Sequence, residues 1–395
     1  MSFIFKDYKG REINTWSYSA GTTFDFCQKK FELSRILGWR SKDTLAASKF
    51  GVAIEEAIQF FHQNGNKPES GIDEFKRVWL KFQKMELVYK AKEGTWEDLY
   101  KAGSELMHLY EVMVPSLPIV RPEFQLNYKK EVFPGTALSG IEDQGFVDML
   151  SRAPWNHRLL PTVKAPADSA YRPLIIDIKS SGKGLDATPD LIQLDPQLRR
   201  YAWQSGIRDV GFLWFHRMKP GLEKGTGVTI LESFENWKPL DKAEVVQIQE
   251  TKVLIATAEN AEAFSKAISE IKGKGSTEKK EQLLEEWKTE GKISTVDSSI
   301  LTKQRIRFVA VRIPEEDVIE EGKIVGRQIV EAKAAADRSF FPKTGAGVRF
   351  PKQNCVWCEQ RGNCLQNSEI RDKLLIQIKP AETVDDDWLG DLGDE

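Results

Sequence analysis

The chain has 395 residues, 41% of them hydrophobic and 29% charged, with a formal net charge of −2 and only four cysteines. That length allows one large domain or two to three small ones, and the near-neutral balance neither implies nor excludes a nucleic-acid partner, which would need a local basic patch. No apolar leader and no run of 18 or more apolar residues marks the chain for secretion or a membrane, which predicts a cytoplasmic protein.

Near the start, Ser17-Tyr18-Ser19 leads to Phe24, Phe26, Cys27, Gln28, Lys29, Lys30, Phe31 and Leu33, a short strand or turn entering a helix that carries Cys27. Phe50, Ile54, Ala57, Ile58 and Phe61 recur at helical spacing and predict an amphipathic helix over 45–63, with Glu55 at the edge of its apolar stripe. Residues 72–114 read as further helices, so 1–120 form a helical N-terminal region. Strand character begins near Leu126, and Pro134-Gly135 after Val132 predicts a hairpin into a strand over 145–150. Leu174-Ile175-Ile176-Asp177-Ile178-Lys179 is a nearly continuous apolar run of the buried-strand type. A helix over 191–204 and an apolar strand over 210–215 follow, and 229–233 and 306–313 extend the sheet. The core therefore spans 121–240. Residues 241–295 read as a charged helical insertion, 296–370 complete the core and end in a cysteine-rich region, and 371–395 form an acidic, disordered tail. The predicted fold class is α/β, a mixed central sheet flanked by helices.

Chemistry concentrates in a few places. Alternation along a strand puts Asp177 and Lys179 on one face, about 6–7 Å apart at their Cα atoms. Alone, such a pair reads as a structural salt bridge, because burying either charge unpaired is costly. Asp148 changes that reading, since an adjacent strand brings a second carboxylate to the same end of the sheet, and Glu55 can supply a third. Carboxylates drawn together repel unless a divalent cation lies between them, and an all-oxygen site suits Mg2+ or Mn2+. A cation there activates water for attack on phosphorus, which is phosphodiester hydrolysis.

Cys355, Cys358 and Cys364 form a CxxC with a third cysteine after a short gap, and Cys27 is the one cysteine left to complete four thiolates. In a reducing compartment such a set reads as a metal centre clipping together the two ends of the chain. Zinc and an iron-sulfur cluster both satisfy the spacing. Lys29, Lys30, Arg35, Arg199, Arg200, Lys343, Arg349 and Lys352 flank these motifs and are candidates for tracking phosphates.

Gly51 with Glu55, Gly145-Phe146-Val147-Asp148, Ile176-Asp177-Ile178-Lys179, Gln197-Leu198-Arg199-Arg200-Tyr201 and the split cysteine set follow one another in the order of a known family. Over about residues 17–365 the chain resembles the PD-(D/E)XK nuclease superfamily, in its RecB-like branch with a [4Fe-4S] cluster. That branch includes CRISPR-associated iron-sulfur exonucleases and AddAB-type nuclease domains. The resemblance implies a restriction-endonuclease-like core and a C-terminus stapled by the cluster. It implies that Asp148, Asp177 and the backbone carbonyl of Ile178 ligate the catalytic metal with Glu55, where the branch usually carries a His. Lys179 then orients or helps deprotonate the attacking water, and Gln197 and Tyr201 contact the active site or the DNA. Cys27, Cys355, Cys358 and Cys364 hold the cluster. The implied activity is exonucleolytic cleavage of single-stranded DNA or DNA ends in recombination, repair or phage-type DNA metabolism. The alternatives are a structure-specific endonuclease and a scaffold subunit that keeps the fold without catalysis. The insertion or the acidic tail offers a surface for a protein partner.

Overall fold

The computed structural model of the chain describes residues 3–89, 94–166, 169–182, 188–217, 226–230, 238–239, 252–272, 275–297, 305–343, 355 and 358–378. Its centre is a six-stranded mixed sheet with helices on both faces, as the sequence predicts. In chain order the elements that build it are β1 (Thr15–Trp16), α1 (Tyr18–Phe26), α2 (Ala46–Gln63), α3 (Ser70–Phe82) and α4 (Trp96–Met113). They are followed by β2 (Glu123–Glu131), β3 (Glu142–Pro154), β4 (Tyr171–Ser181), α5 (Pro196–Ser205), β5 (Asp209–His216), β6 (Ile306–Arg312) and α6 (Glu315–Asp337). The sheet runs β6-β5-β4-β3-β1, with β2 also paired to β3. The pair β4–β5 is parallel and crosses over through α5, while β3–β4 and β5–β6 are antiparallel.

The apolar spacing read in α2 is the face it buries: Phe50, Ile54, Ala57, Ile58 and Phe61 are all buried. With α3 and α4 they pack on Leu174, Ile176 and Ile178 of β4 and on Leu213 and Phe215 of β5. The opposite face, with Ile175 and Phe212, is covered by Leu198, Tyr201 and Ala202 of α5. Strand β4 thus buries both faces, which is why it reads as an unbroken apolar run. The predicted hairpin joins β2 to β3, with Glu131 opposite Glu142. Helix α5 begins with Asp195 as cap and Pro196 in its first turn, and ends at Gly206 with a φ of +76°. That cap splits the helix predicted over 191–204 into a short piece, Pro189–Gln193, and α5.

Three further differences have physical causes. Cys27 lies in a one-residue extended break between α1 and the short helix Gln28–Phe31, outside any helix. The strand Thr226–Ile230 pairs with Lys252–Thr257, in a separate antiparallel sheet with Lys238–Pro239 and Ile293–Asp297. The two inserted helices are present, Ala258–Glu270 and Ser276–Thr289, so the insertion is a mixed unit that includes a strand assigned to the core by its apolar pattern alone. Helix α6, 23 residues long, is announced by no clear apolar stripe, because buried Glu321 and Gln328 interrupt its core face.

Those polar residues have partners. The Arg200 guanidinium is paired with Asp143, both at most 2% exposed, and lies 3.9 Å from Glu321. Gln328 accepts from the Trp16 indole N–H at 3.2 Å and donates to Asp25 at 2.7 Å. The network ties α6 to α1, α5 and β3. Removing one member of such a buried pair costs about 3–5 kcal/mol. Arg200 is therefore a structural residue, and Arg199 is held by Glu320 and Asp317, so neither is available to phosphate as expected. Among the described residues no helix is long and apolar enough to cross a membrane.

Candidate active site

The antiparallel ladder between β3 and β4 ends at the pair Met149–Ile176, and the next residues on the two strands are Asp148 and Asp177. Where the strands part, the two carboxyls are near enough to act on each other electrostatically. The Ile178 backbone N–H donates to Asp148 Oδ2 at 2.7 Å across the gap. On the other side of β3 the regular pairing skips Gln125, which faces Asp148 in register and has a φ of +52°. A non-glycine residue in that region is uncommon and strained. Val147 and Met149, on either side of Asp148, pack into the cores on opposite faces of the sheet, so β3 twists over at the acid.

Two glycines bring the flanking helices close. A Cβ on Gly145 would come 2.4 Å from Oε1 of Gln204, a buried side chain bonded to Asp143, so any larger residue there would have to displace the Gln204 amide where α5 lies on β3. A Cβ on Gly51 would come 3.3 Å from the Ser180 hydroxyl, a tight contact where α2 approaches β4 and carries Glu55 over the strand end.

Asp177 is fully buried. Its Oδ1 accepts from Lys179 Nζ at 3.2 Å and from the Tyr201 hydroxyl at 3.4 Å, and Gln197 Nε2 donates to that hydroxyl at 2.8 Å. Its Oδ2 lies 3.0 Å from Lys179 Nζ, out of hydrogen-bonding alignment, and is a buried acceptor with no hydrogen bond. Burial raises the pKa of all three carboxyls; Lys179 works against it at Asp177, while at Asp148 and Glu55 neighbouring acids raise it further. Asp148 is pushed well above the usual range by burial, Asp177 and Glu55, and Glu55 is pushed to about 7 by burial and Asp177. For Lys179, burial opposes the charge, but Asp177, Asp148 and Glu55 outweigh it and hold the ammonium above its ordinary value. Tyr201 is also raised, by burial and then Asp177, and stays a neutral donor.

Every residue that the sequence placed at this site is therefore here: Glu55, Asp148, Asp177, Ile178, Lys179, Gln197 and Tyr201. Two neighbours were missed. Asp195 caps α5 and bears electrostatically on Asp177, and Tyr18, its pKa pushed to about 12 by burial and Asp195, lies near Lys179. The Asp195-Pro196 pair is a helix-start signature that sequence can show, whereas the place of Tyr18 depends on the fold. Among the described residues no three acidic, His or Cys side chains close into a ready-made metal cage. The donor chemistry still fits a hard cation, because it offers mutually repelling carboxylates and one buried oxygen without a hydrogen bond.

The fold brings Cys27 and Cys355 close to Cys364. The C-terminal strand Leu375–Gln377 pairs with Trp39–Ser41, Gln360 donates to the Trp39 carbonyl, and Phe31 packs on Phe341 with ring centroids 6.2 Å apart. Lys30 pairs with Glu359 at 2.9 Å, and Lys343 donates to the Cys364 carbonyl at 2.5 Å. Lys29 pairs with Glu32 and Arg35 donates to Ser19, while Arg349 and Lys352 lie outside the described residues. All four cysteines are free and half-buried. Burial pushes the Cys358 thiol up to about 11, and Cys364 is raised by burial and then by Cys27 and Cys355. Four free thiols in one region of the fold fit a site completed by a metal.

No family model matches the chain, and no curated protein matches it. Among solved structures it is similar to the crystal structure of SSO0001, with 13% identity over 56% of this chain and 81% of that one. The TM-score is 0.19, too slight a likeness to establish a common fold.

Proposed function

We propose that the chain is a divalent-cation-dependent DNA nuclease, an exonuclease acting on single-stranded DNA or DNA ends, in line with its resemblance to RecB-like PD-(D/E)XK nucleases. The observation that carries the reading is Asp177, a fully buried carboxylate with one oxygen bonded by Lys179 and Tyr201 and the other without a hydrogen bond, beside two further acids. Asp148, Asp177, Glu55 and the Ile178 carbonyl are the residues that would hold Mg2+ or Mn2+. When bound, such a cation lowers the pKa of water and stabilises charge on the phosphoryl oxygens. Lys179 stays protonated, so it orients water or a phosphate oxygen by donating to it, and is poorly suited to removing a proton. The Ile178 N–H fixes Asp148, and Gln197 and Tyr201 fix Asp177.

On the same resemblance, Cys27, Cys355, Cys358 and Cys364 hold a structural [4Fe-4S] cluster that secures the terminal segments beside the core. Protein purified without oxygen should then be brown with broad visible absorption, whereas a zinc protein would be colourless. The activity is tested on end-labelled linear and circular single-stranded DNA with Mg2+ or Mn2+. Degradation of the linear strand with survival of the circle is the expected result. Cutting of the circle would assign an endonuclease, and no cleavage of either in any divalent metal would leave a DNA-binding scaffold in place of an enzyme.

A further inference from the structure

We infer that Asp195 is a positioning residue for the cation site and acts through the helix it caps; this rests on the reading of the carboxylate cluster given above. Asp195 Oδ1 accepts from the backbone N–H groups of Gln197 and Leu198, each at 3.0 Å, and the Asp195 carbonyl accepts from the Arg199 N–H at 3.0 Å. The first turn of α5 is wound around this one residue. Gln197, in that turn, donates to the Tyr201 hydroxyl, and Tyr201, one turn on, donates to Asp177 Oδ1. Lys179 also uses Oδ1 for its hydrogen bond. The chain of contacts from Asp195 therefore ends by holding Asp177 with its hydrogen bonds on Oδ1, and Oδ2, 3.0 Å from Lys179 Nζ but without a hydrogen bond, is the oxygen presented to a cation.

The rest of α5 is fixed independently, since Arg200 is locked to Asp143 and Leu198 is fully buried. Losing the Asp195 carboxylate should thus loosen the first turn, and Gln197 with it, while the helix stays in place. A plain cap would matter only to stability. Thr95, which caps α4 in a capping box with Asp98, supplies that comparison.

The readout is Mn2+ binding to the full chain, followed by electron paramagnetic resonance without DNA. Asp195→Ala is expected to weaken binding about tenfold, the usual scale for losing an outer support of a metal ligand. Asp195→Asn, which still caps, should stay within about twofold of the native chain. Asp195→Gly removes the same side-chain bonds at less cost to overall helix stability, so the first turn and Gln197 should loosen as in Asp195→Ala, and it also covers the case that the alanine variant fails to fold. Tyr201→Phe should weaken binding to a similar degree, with no further loss in Asp195→Ala/Tyr201→Phe. Native-like binding by Asp195→Gly, fully additive losses in the double variant, or an equal loss in Thr95→Ala would each overturn the inference. A native chain that binds Mn2+ but cleaves no DNA defeats the proposed activity and leaves these comparisons decisive; one that binds no Mn2+ defeats both.

Discussion

The carboxylates stand on β3 and β4, where Met149, Ile175 and Ile176 are fully buried, whereas the cysteines stand on the short helix Arg361–Cys364, the turn before it and the one-residue break at Cys27. Helix Ser368–Leu374, which follows the cysteines, buries none of its residues. A site carried by long buried strands keeps its shape without a ligand, so a cation there adds chemistry. Short segments with little core draw their order from a few ion pairs, backbone bonds and whatever the thiols hold, so a metal there adds stability.

After the loss of Asp177 itself, the largest effect should come from Lys179→Met, which lowers cleavage on the order of 10³-fold. Because it removes a cation from beside three acids, Mn2+ binding should be kept or tightened; a parallel loss of Mn2+ would mean that the strands do not hold the site by themselves. Next, Cys364→Ser should make 355–378 roughly tenfold more open to limited proteolysis while the melting of the core hardly moves. A whole-chain collapse would erase the contrast between the two regions. Removing the Tyr201 hydroxyl in Tyr201→Phe should slow cleavage several-fold to tenfold, with the fold intact by circular dichroism.

The smallest effect is on pH. Glu55 has its carboxyl raised from 4.5 to about 7 in the fold. Below about 4.5 it is protonated folded or unfolded and contributes nothing. Between those values the unfolded chain gives up its proton first, so the stability of the cation-free fold falls as pH rises toward 7. Melting should be lower at pH 8 than at pH 5, and Mn2+ should recover more of it at pH 8; a cation-free melting point that does not fall between these values contradicts the crowding of acids at the strand ends.

Much of this was legible in the residues because the site sits on regular elements. The run 174–179 fixes a buried strand, and its two polar residues, Asp177 and Lys179, stand out against it and, with Asp148 upstream, read as more than a structural salt bridge. The i,i+4 pair Gln197 and Tyr201 shares one helix face whatever the helix packs on. What stayed illegible depends on tertiary pairing. Arg200 is indistinguishable from a phosphate-binding arginine until Asp143 is brought against it. The apolar residues at 226–230 do not say which sheet they join, and α6 hides behind Glu321 and Gln328, polar residues that are buried only because Arg200 and Trp16 receive them. The acidic residues of the tail, Asp385, Asp386, Asp387, Asp391, Asp394 and Glu395, lie outside the described residues, as do Gly273 and Lys274.

The most direct measurement is the fate of end-labelled linear single-stranded DNA incubated with the anaerobically purified chain and with Asp177→Ala, each in Mg2+, in Mn2+ and in excess chelator. The account predicts cleavage by the native chain in one or both cations, none in chelator, and none by a folded Asp177→Ala variant. Cleavage that persists in chelator or in Asp177→Ala, or no cleavage by the native chain under any condition, would contradict it.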